Sequence, residues 1–131
     1  MEAVGKQHWR ARLEAEPAAV PALRRDVVML LARECPELDL ADVALAVSEL
    51  VANVVRHAYP AGEPGAVEVE VERDGPATVV TVRDWGRGFA PLAGAERGLG
   101  VGLHIVCALA DDLRISRSDC TVIEARFGPA A

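Results

Sequence analysis

The stretch Val67-Glu-Val-Glu-Val-Glu72 alternates apolar and charged residues without a fault. Successive side chains of a strand point to opposite faces, so a period of two fixes a β-strand with a valine face and a glutamate face. The valines must be covered. The glutamates are expected in water, because carboxylates on one face of a strand are more often a solvated surface than a cation site. A sheet with one wet face is typically antiparallel, so the helices of the chain are expected together on the valine side. Arg73-Asp-Gly-Pro-Ala77 follows as a hairpin turn whose Asp-Gly pair suits positive φ, and Thr78–Asp84 returns as the next strand.

The remaining elements follow from the same periodicities. Gln7–Ala15, with Trp9, Ala11 and Leu13 at period two, reads as an opening strand ended by Pro17. From Ala18 to Arg33 the residues Val20, Leu23, Val27, Leu30 and Leu31 recur at three and four, the pattern of an amphipathic packing helix, with Arg24-Arg25 outside the stripe. Cys35-Pro36 breaks it, since the residue before proline avoids the helical region. Asp39 or Asp42 can cap the next helix, which runs to Tyr59-Pro60, and Pro60–Gly65 is a connector. Gly98–Gly102 opens a late helix that Leu103, Ile105, Val106 and Leu109 carry to about Ala110. Leu113–Arg117 and Thr121–Phe127 close the chain as a hairpin, with Ile123, Ala125 and Phe127 inward.

With 131 residues, 51% of them hydrophobic, one domain over 1–131 is expected, with a core that needs neither disulfides nor metal. The formal charge of −6 opposes direct nucleic-acid binding, which needs clustered Lys and Arg against the polyanion, so any part in transcription regulation would run through protein contacts. The start lacks a charged segment followed by an apolar one, and no apolar run approaches the ~20 residues that span a bilayer. A cytoplasmic protein without a membrane segment is expected. Cys35, Cys107 and Cys120 are an odd set without CxxC spacing, which reads as small buried thiols.

Three places carry chemistry. In Ser48–His57, Glu49, Asn53 and His57 lie four residues apart and so share one helix face, while Val47, Leu50, Val51, Val54 and Val55 fill the flanks. The row either borders a cavity or is the wet side of the helix. His57, near the helix end, fits a structural role at the dipole. Asp84 shares the parity of the inward Val80 and Val82, and an inward carboxylate costs several kcal/mol if ionised and unpaired. Trp85-Gly-Arg-Gly88 follows at once, either as bare backbone beside that acid or as a tight turn begun by it. Gly98-Leu-Gly-Val-Gly102 at a helix start presents free N–H groups suited to a phosphate. No Gly-Lys-Ser/Thr follows, and the strand and spacing of a dinucleotide GxGxxG are missing.

Taken in order, Glu49-x-x-x-Asn53, Asp84-x-Gly86-x-Gly88 and Gly98-x-Gly100-x-Gly102 resemble the N, G1 and G2 boxes of the GHKL superfamily of gyrase, heat-shock chaperone, histidine-kinase and mismatch-repair ATPases. The wording Ser-Glu-Leu-Val-x-Asn-x-x-x-His-Ala-Tyr and the very short lid look most like the anti-sigma-factor serine/threonine kinases, over nearly the whole chain. The resemblance implies an α+β two-layer sandwich (the Bergerat ATP-binding fold), a mostly antiparallel sheet with about three helices on one face. It implies ATP and Mg²⁺ as ligands. Asn53 would ligate the metal, and Glu49 would be the general base toward a protein serine. Asp84 would accept from the adenine amino group, and Gly86 and Gly88 would let base and ribose approach. Gly98, Gly100 and Gly102 would hold phosphates that Arg97 helps to neutralise.

Thr121 would lie near adenine, although Asp119-Cys120 stands where the family often has glycine. Trp85 would be a hydrophobic wall beside the nucleotide. The implied partners are a STAS-type anti-sigma antagonist and a sigma factor, in a homodimer that the Trp9 strand could support. The alternative is a non-catalytic, ATP-dependent protein-binding switch of the same fold. A third expectation, from the glycines alone, is a small dinucleotide-binding protein that prefers NAD to ATP.

Overall fold

A computed structural model describes residues 8–86 and 99–128. In chain order the elements are β1 (His8–Glu14), α1 (Ala19–Glu34), α2 (Leu40–His57), β2 (Ala66–Asp74), β3 (Ala77–Asp84), α3 (Leu99–Leu109), β4 (Asp112–Arg117) and β5 (Thr121–Phe127). The five strands form one antiparallel sheet in the order β1-β2-β3-β5-β4. Its valine face and the helices share a core of Val67, Val69, Val80, Val82, Ile123 and Ala125 with Leu23, Val27 and Leu31 of α1, Val47, Leu50 and Val51 of α2, and Leu103 and Val106 of α3. The result is the expected α+β two-layer sandwich.

Local chemistry accounts for the element ends. The Asp39 carboxylate accepts from the Asp42 N–H at 3.2 Å and caps α2. Gly75 takes φ +62° in the β2–β3 turn, a conformation that residues with a Cβ avoid. Leu23, Val27 and Leu31, four apart on α1, are fully buried, as their periodicity requires.

The glutamate face departs from expectation. Glu68 and Glu70 are only 3% and 9% exposed. Register sets Arg12 and Arg83 on either side of Glu68, and both guanidinium groups reach its carboxylate at 3.2 Å. Arg83 and His8 contact Glu70 in turn. Burial pushes the Glu70 carboxyl up, but the hydrogen bonds from Arg83 and His8 outweigh it and hold the group below its ordinary value. Arg12 also lies over the Trp85 ring, 4.3 Å from its centroid. The valine face is the one that meets the helices, and the glutamate face is covered by long cationic side chains rather than by water.

The thiols differ as well. Cys35 is buried, Cys120 is half-buried and Cys107 is exposed, all three free. Among the described residues no helix is long and apolar enough to cross a membrane.

Candidate functional site

The helix-facing side of the sheet is built in rows. Val71, Val80, Ala125 and Leu113 form one, and Val69, Val82, Ile123 and Ile115 the next. The following row, at the end of the sheet, is Val67, Asp84, Thr121 and Arg117. An apolar surface therefore turns polar at one edge, under the C-terminal half of α2.

Asp84 and Thr121 are 4% and 2% exposed. The Gly86 N–H donates to Asp84 Oδ1 at 3.0 Å. Burial raises the Asp84 carboxyl above its ordinary value, against the Gly86 N–H and the Arg117 charge, which pull it down. Arg117 donates through Nη1 to Thr121 Oγ1 at 2.6 Å and through Nη2 to the Gly86 carbonyl at 3.2 Å.

The polar row of α2 meets this edge from above. Asn53, His57 and Ala58 line a cavity with Asp84 and Ile123, of about 10 Å³, roughly the room one water needs. Asn53 is 4% exposed. Its Oδ1 accepts from Arg56 at 3.5 Å, but its Nδ2 is buried and has no hydrogen-bond partner among the described residues. An orphaned buried donor costs about 1–3 kcal/mol, so Asn53 carries an unmatched donor on a residue that lines this cavity.

Gly102 of α3 faces the same row, where a Cβ would lie 2.9 Å from Glu49 Oε1 and 3.5 Å from Asn53 Oδ1. Glycine costs about 0.5–1 kcal/mol in a helix relative to alanine, and here it lets the first turns of α3 approach the carboxylate and the amide together.

The end of α2 pins the turn after Asp84. A Cβ on Gly86 would sit 2.0 Å from the Ala58 carbonyl oxygen, so Gly86 is bare for a protein contact, whatever approaches it from outside. The Tyr59 hydroxyl donates to the Ala66 carbonyl at 2.6 Å and accepts from the Ala66 and Trp85 N–H groups at 3.1 and 3.0 Å. One phenol thus joins the starts of β2 and of the Asp84 turn. Tyr59→Phe is expected to lower stability by about 1–3 kcal/mol in urea unfolding, because three backbone groups lose one shared partner. A loss under about 0.5 kcal/mol would show that water replaces the phenol.

Of the residues expected at the site, Glu49, Asn53, Asp84, Gly86, Gly102 and Thr121 lie around this edge. Gly100 stands in the first turn of α3. Gly88, Arg97 and Gly98 lie outside the described residues. Tyr59 enters the sequence reading only as a helix end and as part of the motif wording, and Arg117 only as a strand end, so neither is given a role at the site. Arg117 had a local signal, since parity with Leu113 and Ile115 puts its charge on the apolar face.

The described residues form two larger cavities. One, of about 230 Å³ between β1 and the end of α1, is lined by Trp9, Leu30, Leu31 and Cys35. The other, of about 260 Å³, lies among Glu72, Arg114, Glu124 and Arg126. Neither contains the carboxylate and amide pairing found under α2.

A buried acceptor on the sheet, an orphaned amide and a half-buried carboxylate one turn apart, and a glycine-lined helix start can bind a polar ligand and move a proton. A family profile described as the histidine kinase-like ATPase domain matches residues 13–127. No curated protein matches the chain by sequence. Among solved structures the fold is similar to the crystal structure of the RsbU and RsbW domains of Rv1364c from Mycobacterium tuberculosis, with a TM-score of 0.69 and 23% identity. The match covers 95% of this chain and 33% of that one, so this chain spans about a third of its structural neighbour.

Proposed function

The chain belongs to the histidine kinase-like ATPase domain family, and on that premise we propose that it is an ATP- and Mg²⁺-dependent protein serine/threonine kinase. Its substrate is a STAS-type anti-sigma antagonist, and it also sequesters a sigma factor. The proposal takes residues 1–131 as one such domain, cytoplasmic and homodimeric. The observation that carries the kinase activity is Glu49, one helical turn before Asn53, with both side chains against Gly102. A pocket that only bound a nucleotide would have no use for a carboxylate beside its metal ligand. The partners rest on the resemblance of Ser48–Tyr59 to the anti-sigma-factor kinases.

The residues present fit the ligands. Asn53 would hold Mg²⁺, as an amide oxygen suits a hard cation, and the orphaned Nδ2 remains to donate to a phosphate oxygen. Asp84 offers a carboxylate to the adenine amino group. When bound, ATP supplies the transferable γ-phosphoryl group. Glu49 takes the proton of the substrate hydroxyl as that oxygen bonds to phosphorus and the bond to the β-phosphate oxygen breaks.

The test is transfer of labelled phosphate from ATP to a STAS-type protein in Mg²⁺, with ADP followed in parallel and melting curves taken with ATP, GTP and NAD. Transfer is expected, together with a stabilisation of about 2.7 kcal/mol by ATP at 100 times its dissociation constant. An ATP shift without ADP would leave the protein a non-catalytic switch, and a shift with NAD but not ATP would remove the ATP assignment and favour the dinucleotide-binding reading.

A further inference from the structure

Arg117 holds a position that the proposed chemistry does not use. It ends β4, two residues beyond Ile115, and register places it beside Thr121, which in turn stands beside Asp84. A guanidinium can only donate. Its 2.6 Å bond to Thr121 Oγ1 occupies one lone pair of that oxygen and keeps the hydroxyl proton from pointing toward β4. The second arm, on the Gly86 carbonyl, ties the final hairpin to the turn that fixes Asp84. One side chain therefore braces both neighbours of the buried acid.

We propose that Arg117 is a positioning residue that fixes the Thr121 hydroxyl as a hydrogen-bond donor next to the Asp84 acceptor, so that the pair selects an adenine edge over a hypoxanthine edge. Adenine presents an amino donor beside the ring acceptor N1. Hypoxanthine presents the reverse, a carbonyl beside an N1–H. A donor and acceptor pair whose polarity is locked matches the first and opposes the second at both positions. Without Arg117 the hydroxyl rotates freely and accepts as readily as it donates, so Asp84 alone discriminates.

The inference rests on the ATP binding proposed above, and the test separates the two. Dissociation constants for ATP and ITP are measured in Mg²⁺ on the full chain as wild type, Arg117→Met, Thr121→Val and the double variant. Arg117→Met is expected to weaken ATP about tenfold and to move ITP by less than about twofold, narrowing the ATP/ITP ratio. On the Thr121→Val background the same change is expected to move the ratio by less than about twofold, because the hydroxyl it orients is gone. Arg117→Lys, which keeps one charged donor, is expected to restore part of the ratio. Should Arg117→Met not fold, Arg117→Gln is expected to narrow the ratio in the same way.

Equal weakening of ATP and ITP by the Arg117 variants, an undiminished effect on the Thr121→Val background, or equal wild-type affinities for both nucleotides would each overturn the inference. A wild-type protein that binds neither nucleotide would instead bring down the ATP reading beneath it.

Discussion

Glu49→Ala is expected to lower phosphate transfer to the protein substrate by about 10²- to 10⁴-fold, the usual contribution of a general base, while ATP still raises the melting temperature as in wild type. The split follows from the site. Glu49 is half-buried on α2, with its Oε1 beside the backbone of Gly102, whereas the acceptor proposed for adenine, Asp84, belongs to the sheet. Removing the carboxylate leaves the Asn53 amide and the Asp84 acceptor in place. Glu49→Gln, of nearly the same shape, separates lost basicity from lost packing and is expected to be as inactive as the alanine variant. Transfer at the wild-type rate in either variant would sink the general-base role. Loss of the ATP shift along with transfer would make Glu49 a binding residue instead.

Asp84→Asn is expected to weaken ATP by about a hundredfold, since a hydrogen bond to a charged group contributes about 1.5–3 kcal/mol. The Gly86 N–H already holds Oδ1 at 3.0 Å, so an asparagine would keep its oxygen there and turn its NH₂ toward the base. A donor would then face the adenine amino donor. The same variant is expected to be at least as stable as wild type without nucleotide, because a buried carboxylate costs free energy when ionised until a ligand meets it.

The pH dependence follows from the raised Asp84 value, caused mainly by burial. Between the ordinary carboxylate range and that raised value the folded protein keeps a proton that the unfolded chain releases. Stability from this group therefore falls as pH rises through the window, and the cost is fully present above it. In the proposed contact the adenine amino group favours the ionised form, so ATP binding is expected to release a proton there and to weaken as pH falls through the folded value. Calorimetric titration in buffers of different ionisation enthalpy, with melting curves across pH, checks both. A proton release that persists in Asp84→Asn would assign it to another group.

Periodicity in the chain is enough to place the elements. The faultless alternation of Val67–Glu72, the four-residue stripe of α1, the Asp39 cap and the Asp-Gly turn each act through neighbouring residues, and the observed elements follow them closely. The order of Glu49 and Asn53, Asp84, and the two glycine groups likewise pointed to the family whose profile matches residues 13–127. For the helix row two outcomes stood open, a cavity border or a wet side. Asn53 proves to be buried on a cavity, a fact set by how α2 lies on the edge of the sheet.

What alternation cannot report is what stands across from a face. Glu68 and Glu70 were expected in water because charge and parity put them away from the core. They are buried because Arg12 and His8 from β1 and Arg83 from β3 reach across them, and that depends on which strands pair and in what register. Gly86 offered local freedom of backbone, whereas its need for a bare Cα comes from the Ala58 carbonyl, 28 positions earlier in the chain.

The sequence by itself determined the strand and helix periods, the inward parity of Asp84, and the motif order of an ATPase. Only the tertiary structure decided that Arg117 braces Thr121 and Gly86, that Tyr59 joins the starts of β2 and of the Asp84 turn, and that the Asn53 amide is left with an unmatched donor. The reason is physical. Side-chain direction is set by bonds within a few residues, while hydrogen-bond partners and desolvation are set by groups brought together from distant parts of the chain.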